Sequence, residues 1–99
     1  MIRITEVRLT PTTHARLRAF ATVTLDEAFV VRGMKVIEGK DGRFFVAMPS
    51  RKRPDGTFQD IAHPITAECR ILLEETVLAE YTRQLRAEEL DATKAPPAP

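Results

Sequence analysis

Three consecutive cations, Arg51, Lys52 and Arg53, run into Pro54-Asp55-Gly56 and form the most chemically pointed segment of this 99-residue chain. Adjacent like charges repel, so a segment that keeps three together is most simply explained by an anionic partner. Arginine offers a planar fork that fits phosphate, and lysine a point charge. No acid interrupts residues 42–54, which adds Arg43 to the same basic run. Phe58 follows the cations closely and is a candidate for stacking on a base, as are Phe20, Phe44 and Phe45 if the core does not take them. Arg16 and Arg18 would widen the patch if their strand lies near it. The competing reading is a solvated loop that only aids solubility.

Asp60, His63 and Cys69 are the one grouping that suggests catalysis or metal binding. A Cys–His pair needs hydrogen-bond reach and an orienting group, and zinc needs three or four ligands. Neither is visible, so no catalytic residue and no metal ligand is assigned. Asp60 and His63 are expected to bond irregular backbone at the entrance to a helix. Gly39 and Gly42 flank a turn and make no phosphate-cradling motif. The expectation is a protein that is not an enzyme, with no cofactor and no small-molecule substrate.

The whole chain is 43% hydrophobic and 29% charged, within the range of folded domains. A single cysteine closes no intramolecular disulfide. No apolar run approaches the roughly 20 residues that span a bilayer, and charges at Arg3, Glu6 and Arg8 break any signal-peptide core. No membrane partner is therefore expected, and the cytoplasm is the expected location. The net charge of +1 hides an asymmetry. Residues 1–54 carry eleven Lys/Arg against five acids, and residues 55–99 carry four against nine. Such a division hints at a polyanion-binding surface in the first half.

Several elements must position these residues. Ile2 to Leu9 reads as a strand ended by Pro11. Leu17, Ala19, Ala21, Val23 and Leu25 alternate with Arg18, Phe20, Thr22 and Thr24, giving a half-buried second strand. A third strand follows Asp26-Glu27, with Val30, Met34 and Val36 on one face and Phe29, Val31 and Ile37 on the other. The turn Gly39–Gly42 leads into Phe44–Met48 and predicts an antiparallel hairpin. Residues 49–56 read as a loop, and Phe58–Ile65 as an extended connection or edge strand. Thr66 is the predicted N-cap of a helix of about twenty residues whose stripe is Ile71, Leu78, Tyr81 and Leu85, with Val77 beside it. The whole is predicted to be a single α+β domain over 1–91, an antiparallel sheet of four to five strands with one long C-terminal helix. Residues 92–99 form a disordered Pro/Ala-rich tail. One helix covers one sheet face, and strands apolar on both faces predict a homodimer that buries the other.

The segments I-T-E-V-R (4–8), V-I-E-G (36–39), F-V-A-M-P-S (45–50) and P-D-G-x-F-x-D-I-A-H-P-I (54–65) resemble the SpoVG family, also called stage V sporulation protein G or septation proteins. The likeness runs from about residue 2 to residue 81. It implies a small dimeric bacterial α+β protein that binds DNA and RNA, regulates septation, sporulation or other gene expression, and is not an enzyme. Where the family reads S-K-R-T-P-D-G or S-R-K-T-P-D-G, this chain has an extra cation at Arg53. Where it reads F-R-D or F-K-D, this chain has Gln59. The resemblance thus implies a nucleic-acid contact surface of Arg51, Lys52, Arg53, Arg43, Phe58 and Gln59, with its cations relocated. A second functional class remains open, a protein–protein adaptor of a division or regulatory factor that docks through the acids Glu68, Glu74, Glu75 and Glu80.

Overall fold

The structure, a computed structural model, describes residues 2–94, with side chains through Glu88. Four strands, β1 (Ile4–His14), β2 (Leu17–Leu25), β3 (Phe29–Glu38) and β4 (Phe44–Ala47), form an antiparallel sheet in that order. A two-stranded ribbon follows, β5 (Ser50–Lys52) with β6 (Phe58–Asp60), and then the helix α1 (Ala67–Lys94). The α+β class, the hairpin at Gly39–Gly42 and the single long helix are as the sequence predicts. The helix is longer than predicted and continues three residues past the expected domain end at 91; residues 95–99 of the expected tail lie outside the described residues.

One face of the sheet and one face of α1 make the core. Ala19, Ala21 and Val23 of β2, Met34 and Val36 of β3, and Val46 of β4 are buried with Met48, Val77 and Tyr81. Burying a Val- or Met-sized side chain contributes about 1.5–3 kcal/mol each, so this cluster holds helix to sheet. The Phe44 ring meets Tyr81 at a centroid distance of 5.5 Å and a tilt of 44°. Edge strand β4 gains a further partner from the helix, because the Val46 N–H donates to a Glu74 carboxylate oxygen at 3.5 Å.

Local chemistry departs from simple alternation in four places. β1 continues through Pro11, which pairs with Ala19. An edge strand tolerates proline because one side of it has no ladder to serve. In β3, Ala21 pairs with Met34 but Val23 with Val31, so β3 carries one extra residue there. Gly33, at φ +84°, absorbs this bulge in a conformation that side chains resist. The bulge reverses the phase: Val31, not Val30, shares the core face with Met34, and Val30 and Phe29 are exposed. A second shift pairs Leu17 with Ile37 but Ala19 with Val36, which sets Leu17 and Ala19 on opposite faces. On α1 the buried face runs through Val77 and Tyr81 with Leu73 and Leu78 packed beside them, whereas Ile71 is exposed. At about 100° per residue Ile71 stands roughly 80° round from Tyr81, at the edge of that face.

Thr66 caps the helix as predicted, its Oγ1 accepting the Cys69 N–H at 3.1 Å. Removing that oxygen orphans a backbone donor. Thr66→Ala is expected to lower stability by about 1 kcal/mol in urea denaturation, and Thr66→Ser to restore it.

Candidate nucleic-acid interface

The basic segment is not a loop but a β-ribbon. Ser50 pairs with Asp60, Arg51 with Gln59 and Lys52 with Phe58. Proline and Asp-Gly signals mark only its tip, where Arg53 donates its N–H to the Thr57 carbonyl at 2.6 Å and Gly56 donates to the Arg53 carbonyl at 3.0 Å. Gly56 sits at φ +91°. One Asp55 oxygen accepts both the Thr57 N–H (3.0 Å) and the Thr57 hydroxyl (2.7 Å), which ties the tip together. The Thr57 hydroxyl, then its N–H, hold the Asp55 carboxyl below its ordinary range. At the ribbon's base the Ile61 N–H donates to the Pro49 carbonyl at 2.7 Å.

Every residue from Ser50 to Ile61 is exposed. Side chains alternate across a strand, so Arg51 and Gln59 share one face of the ribbon and Lys52 and Phe58 the other. Phe58 is 69% exposed and packs into no core, and its cross-strand neighbour is a cation. A flat apolar ring beside an ammonium suits a base and its phosphate together. Arg51 and Gln59 are both side chains able to grip a base edge with two hydrogen bonds.

Five arginines outside the ribbon are ion-paired. Arg3 lies 3.9 Å from Asp26, Arg8 3.3 Å from Glu6 and Arg43 3.7 Å from Asp41, and Arg83 pairs with Glu80. Arg18 is the fifth: its Nε donates to Glu38 at 2.9 Å, and its Nη2 bonds the same oxygen. The Glu38 hydrogen bond and charge hold the Arg18 guanidinium above its ordinary value. Among the described residues, Arg51, Lys52 and Arg53 have no ion-pair partner.

The predicted patch therefore divides. Arg51, Lys52, Arg53, Phe58 and Gln59 come together on the ribbon. Arg43 stands at the opposite end of β4, in the β3–β4 turn, next to Asp41. Arg16 belongs to that same far end, since its carbonyl accepts the Glu38 N–H at 2.9 Å. Arg18 is neutralised by Glu38, so neither extends the ribbon's surface. Sequence reasoning missed Arg32, exposed and unpaired among the described residues. It precedes Gly33, where an added Cβ would stand 3.4 Å from the Pro49 Cβ, so it lies at the ribbon's base. The bulge that brings it there has no sequence signal beyond the glycine itself. Of the aromatic candidates, Phe44 is in the core, while Phe20 and Phe45 are exposed on the sheet face that α1 leaves open.

His63 bonds irregular backbone, its Nδ1 lying 3.0 Å from the Pro64 carbonyl oxygen. Asp60 instead takes its place in the ribbon ladder. Among the described residues no three His, Cys, Asp or Glu side chains gather as a metal site, and no helix is long and apolar enough to cross a membrane.

The Asp55 anchor makes a prediction. A carboxyl whose pKa is lowered on folding contributes order that is complete above the ordinary carboxylate pKa and is lost as pH falls through the lowered value. The protection factors of the ribbon-tip amides, exchange rates divided into those of the unfolded chain at the same pH, should thus hold through mildly acidic pH and fall only in stronger acid. Asp55→Ala is expected to show quick exchange at neutral pH, with the melting temperature of the sheet unchanged.

Comparison with known proteins identifies a family and relatives of similar length. The SpoVG family model matches residues 2–83. A relative from Anaeromyxobacter sp. (strain Fw109-5) is 54% identical over 85 residues, covering 86% of this chain and 87% of that protein. One from Myxococcus xanthus is 45% identical over 97 residues, 98% of this chain and 97% of the other. One from Bacillus cytotoxicus is 46% identical over 95 residues, 95% and 97% of the two chains. Each is named a septation protein of the SpoVG type. With the family model spanning the sheet, the ribbon and most of the helix, the chain belongs to the SpoVG family.

Proposed function

We propose that this protein is a small dimeric regulator that binds nucleic acid through the β5–β6 ribbon, acting in the cytoplasm on genes or transcripts tied to septation. One observation carries the reading: three consecutive cations stand together on a fully exposed ribbon with no ion-pair partner among the described residues. Unpaired cations beside an exposed ring are suited to a strand of phosphates and bases. Catalysis has no assigned residue and forms no part of the proposal.

The adaptor reading loses support from the helix. Glu74 is engaged with the Val46 N–H and Glu80 with Arg83, whose hydrogen bond holds the Glu80 carboxyl below its ordinary range. Two of the four acids on which that docking surface depends are therefore occupied within the chain.

A gel-shift series at increasing salt tests the proposal. Counterion release predicts a linear fall of log affinity with log salt, with a slope of about 0.9 per phosphate contacted on duplex DNA and about 0.7 on single strands. Absence of binding at low salt to duplex DNA, single-stranded DNA and RNA alike would overturn the reading and favour the adaptor.

A further inference from the structure

The face of the sheet that α1 leaves open carries two aromatic rings outside the core. Phe20 of β2 is 44% exposed and Phe45 of β4 is 42% exposed. Phe20 pairs with Lys35 across β2 and β3, and Phe45 pairs with Ile37 across β3 and β4. Lys35 therefore stands on the strand between the two that bear the rings. With about 3.4 Å per residue and about 4.8 Å between strands, these registers set the two Phe Cα atoms roughly 12 Å apart.

The charge of this face is one-sided. Val7 and Leu9 pack against the core, so Glu6 and Arg8 lie on the open side, where they pair with each other at 3.3 Å. Arg32 follows core-packed Val31, so alternation sets it on the open side too. Arg32 and Lys35 have no ion-pair partner among the described residues. Unpaired positive charge thus runs from the ribbon's base through Arg32 to Lys35.

We propose that this face is a second contact surface, which takes an unpaired stretch of RNA with a base stacked on each of Phe20 and Phe45 and Lys35 on the phosphate between them. The inference rests on the nucleic-acid reading above and adds to the ribbon a surface that a duplex cannot use. Within a duplex each base is stacked above and below, so a ring finds no base face to meet; loops and single strands leave those faces free. A separation of roughly 12 Å is several times the ~3.4 Å rise of a stacked strand, so the two rings suit bases splayed from one another. RNA is the occupant because its loops present unpaired bases without strand separation.

A second copy of the chain is the alternative occupant, and the sequence reading gives it this face. A two-fold interface here would bring Arg32 and Lys35 of both copies into one patch. The one strand acid on this side, Glu6, is already paired with Arg8. Desolvated like charges would therefore oppose the pairing, whereas a phosphate chain supplies the missing negative charge.

Fluorescence anisotropy with a labelled oligouridine and a labelled duplex DNA tests the proposal. Loss of one stacking ring weakens single-strand binding about fivefold or more, so Phe20→Ala/Phe45→Ala should bind oligouridine at least tenfold more weakly than the wild-type chain. Duplex binding rests on the ribbon's phosphate contacts and should stay within about twofold. Phe20→Tyr/Phe45→Tyr keeps both rings and should restore oligouridine binding, which guards against a folding effect. Lys35→Ala should lower the log–log salt slope on oligouridine by about 0.7 and leave the duplex slope unchanged. Wild-type affinity for oligouridine in the alanine variant, or an equal loss on both probes, would overturn the sheet face and leave the ribbon standing. A fall in that variant's mass by light scattering would give the face to a second copy and overturn it likewise. A wild-type chain that binds neither probe would overturn the ribbon reading as well.

Discussion

Replacing Arg51, Lys52 and Arg53 together by alanine is expected to reduce nucleic-acid affinity at least a hundredfold at physiological salt, about 2.7 kcal/mol, without changing the fold. All three are exposed, and the ribbon they occupy is separate from the sheet. Substitutions at such positions cost within about 0.5 kcal/mol of stability. The log–log salt slope should fall by about 1 for each phosphate contact removed, similarly across sequences where the contacts are to phosphate. The proposed dimer would present two ribbons to one polymer, and in that case the loss should exceed that of either ribbon taken singly. Gel shifts and a thermal melt on the same preparation check both halves of the statement. Unchanged affinity and slope in a folded triple variant would remove the ribbon from the account.

The reverse dissociation is expected at Met34. It is 1% exposed within the cluster that joins β2, β3 and α1, directly after the Gly33 bulge. Truncating it removes apolar contacts and leaves a cavity that the surrounding strands only partly close. Met34→Ala should therefore cost about 2–5 kcal/mol in urea denaturation. The ribbon takes no part in that core, so the fraction still folded at low temperature should bind with the wild-type salt slope. A changed slope in folded Met34→Ala would mean that core and ribbon are coupled.

What the sequence made legible follows from the range of the interactions concerned. The alternation through Ala19, Ala21 and Val23 is local, and so are the Gly39–Gly42 turn and the Thr66 cap. All are where the sequence places them. The bulges at Gly33 and around Arg18 depend on how two strands register, which no single strand records. Missing them put Val30 on the wrong face and sent Arg18 to a basic patch when its partner is Glu38, twenty residues away. Strand β6 falls within the segment the sequence marks as an extended connection or edge strand, but β5 escaped notice because it is three residues long and wholly exposed, so no apolar periodicity marks it. Its chemistry was legible all the same, because the three cations are consecutive. Arg32 was not, since only the folded bulge brings its neighbour Gly33 against Pro49.

The most direct test of the central claim is a titration of the isotopically labelled protein with a short oligonucleotide, read by amide chemical shifts. Residues 50–60, with Arg32 at the ribbon's base, should move most and at low salt, while the α1 residues around Val77 and Tyr81 stay in place. Shifts concentrated instead on the β3–β4 turn near Arg43 or along α1, with the ribbon unmoved, would contradict the account.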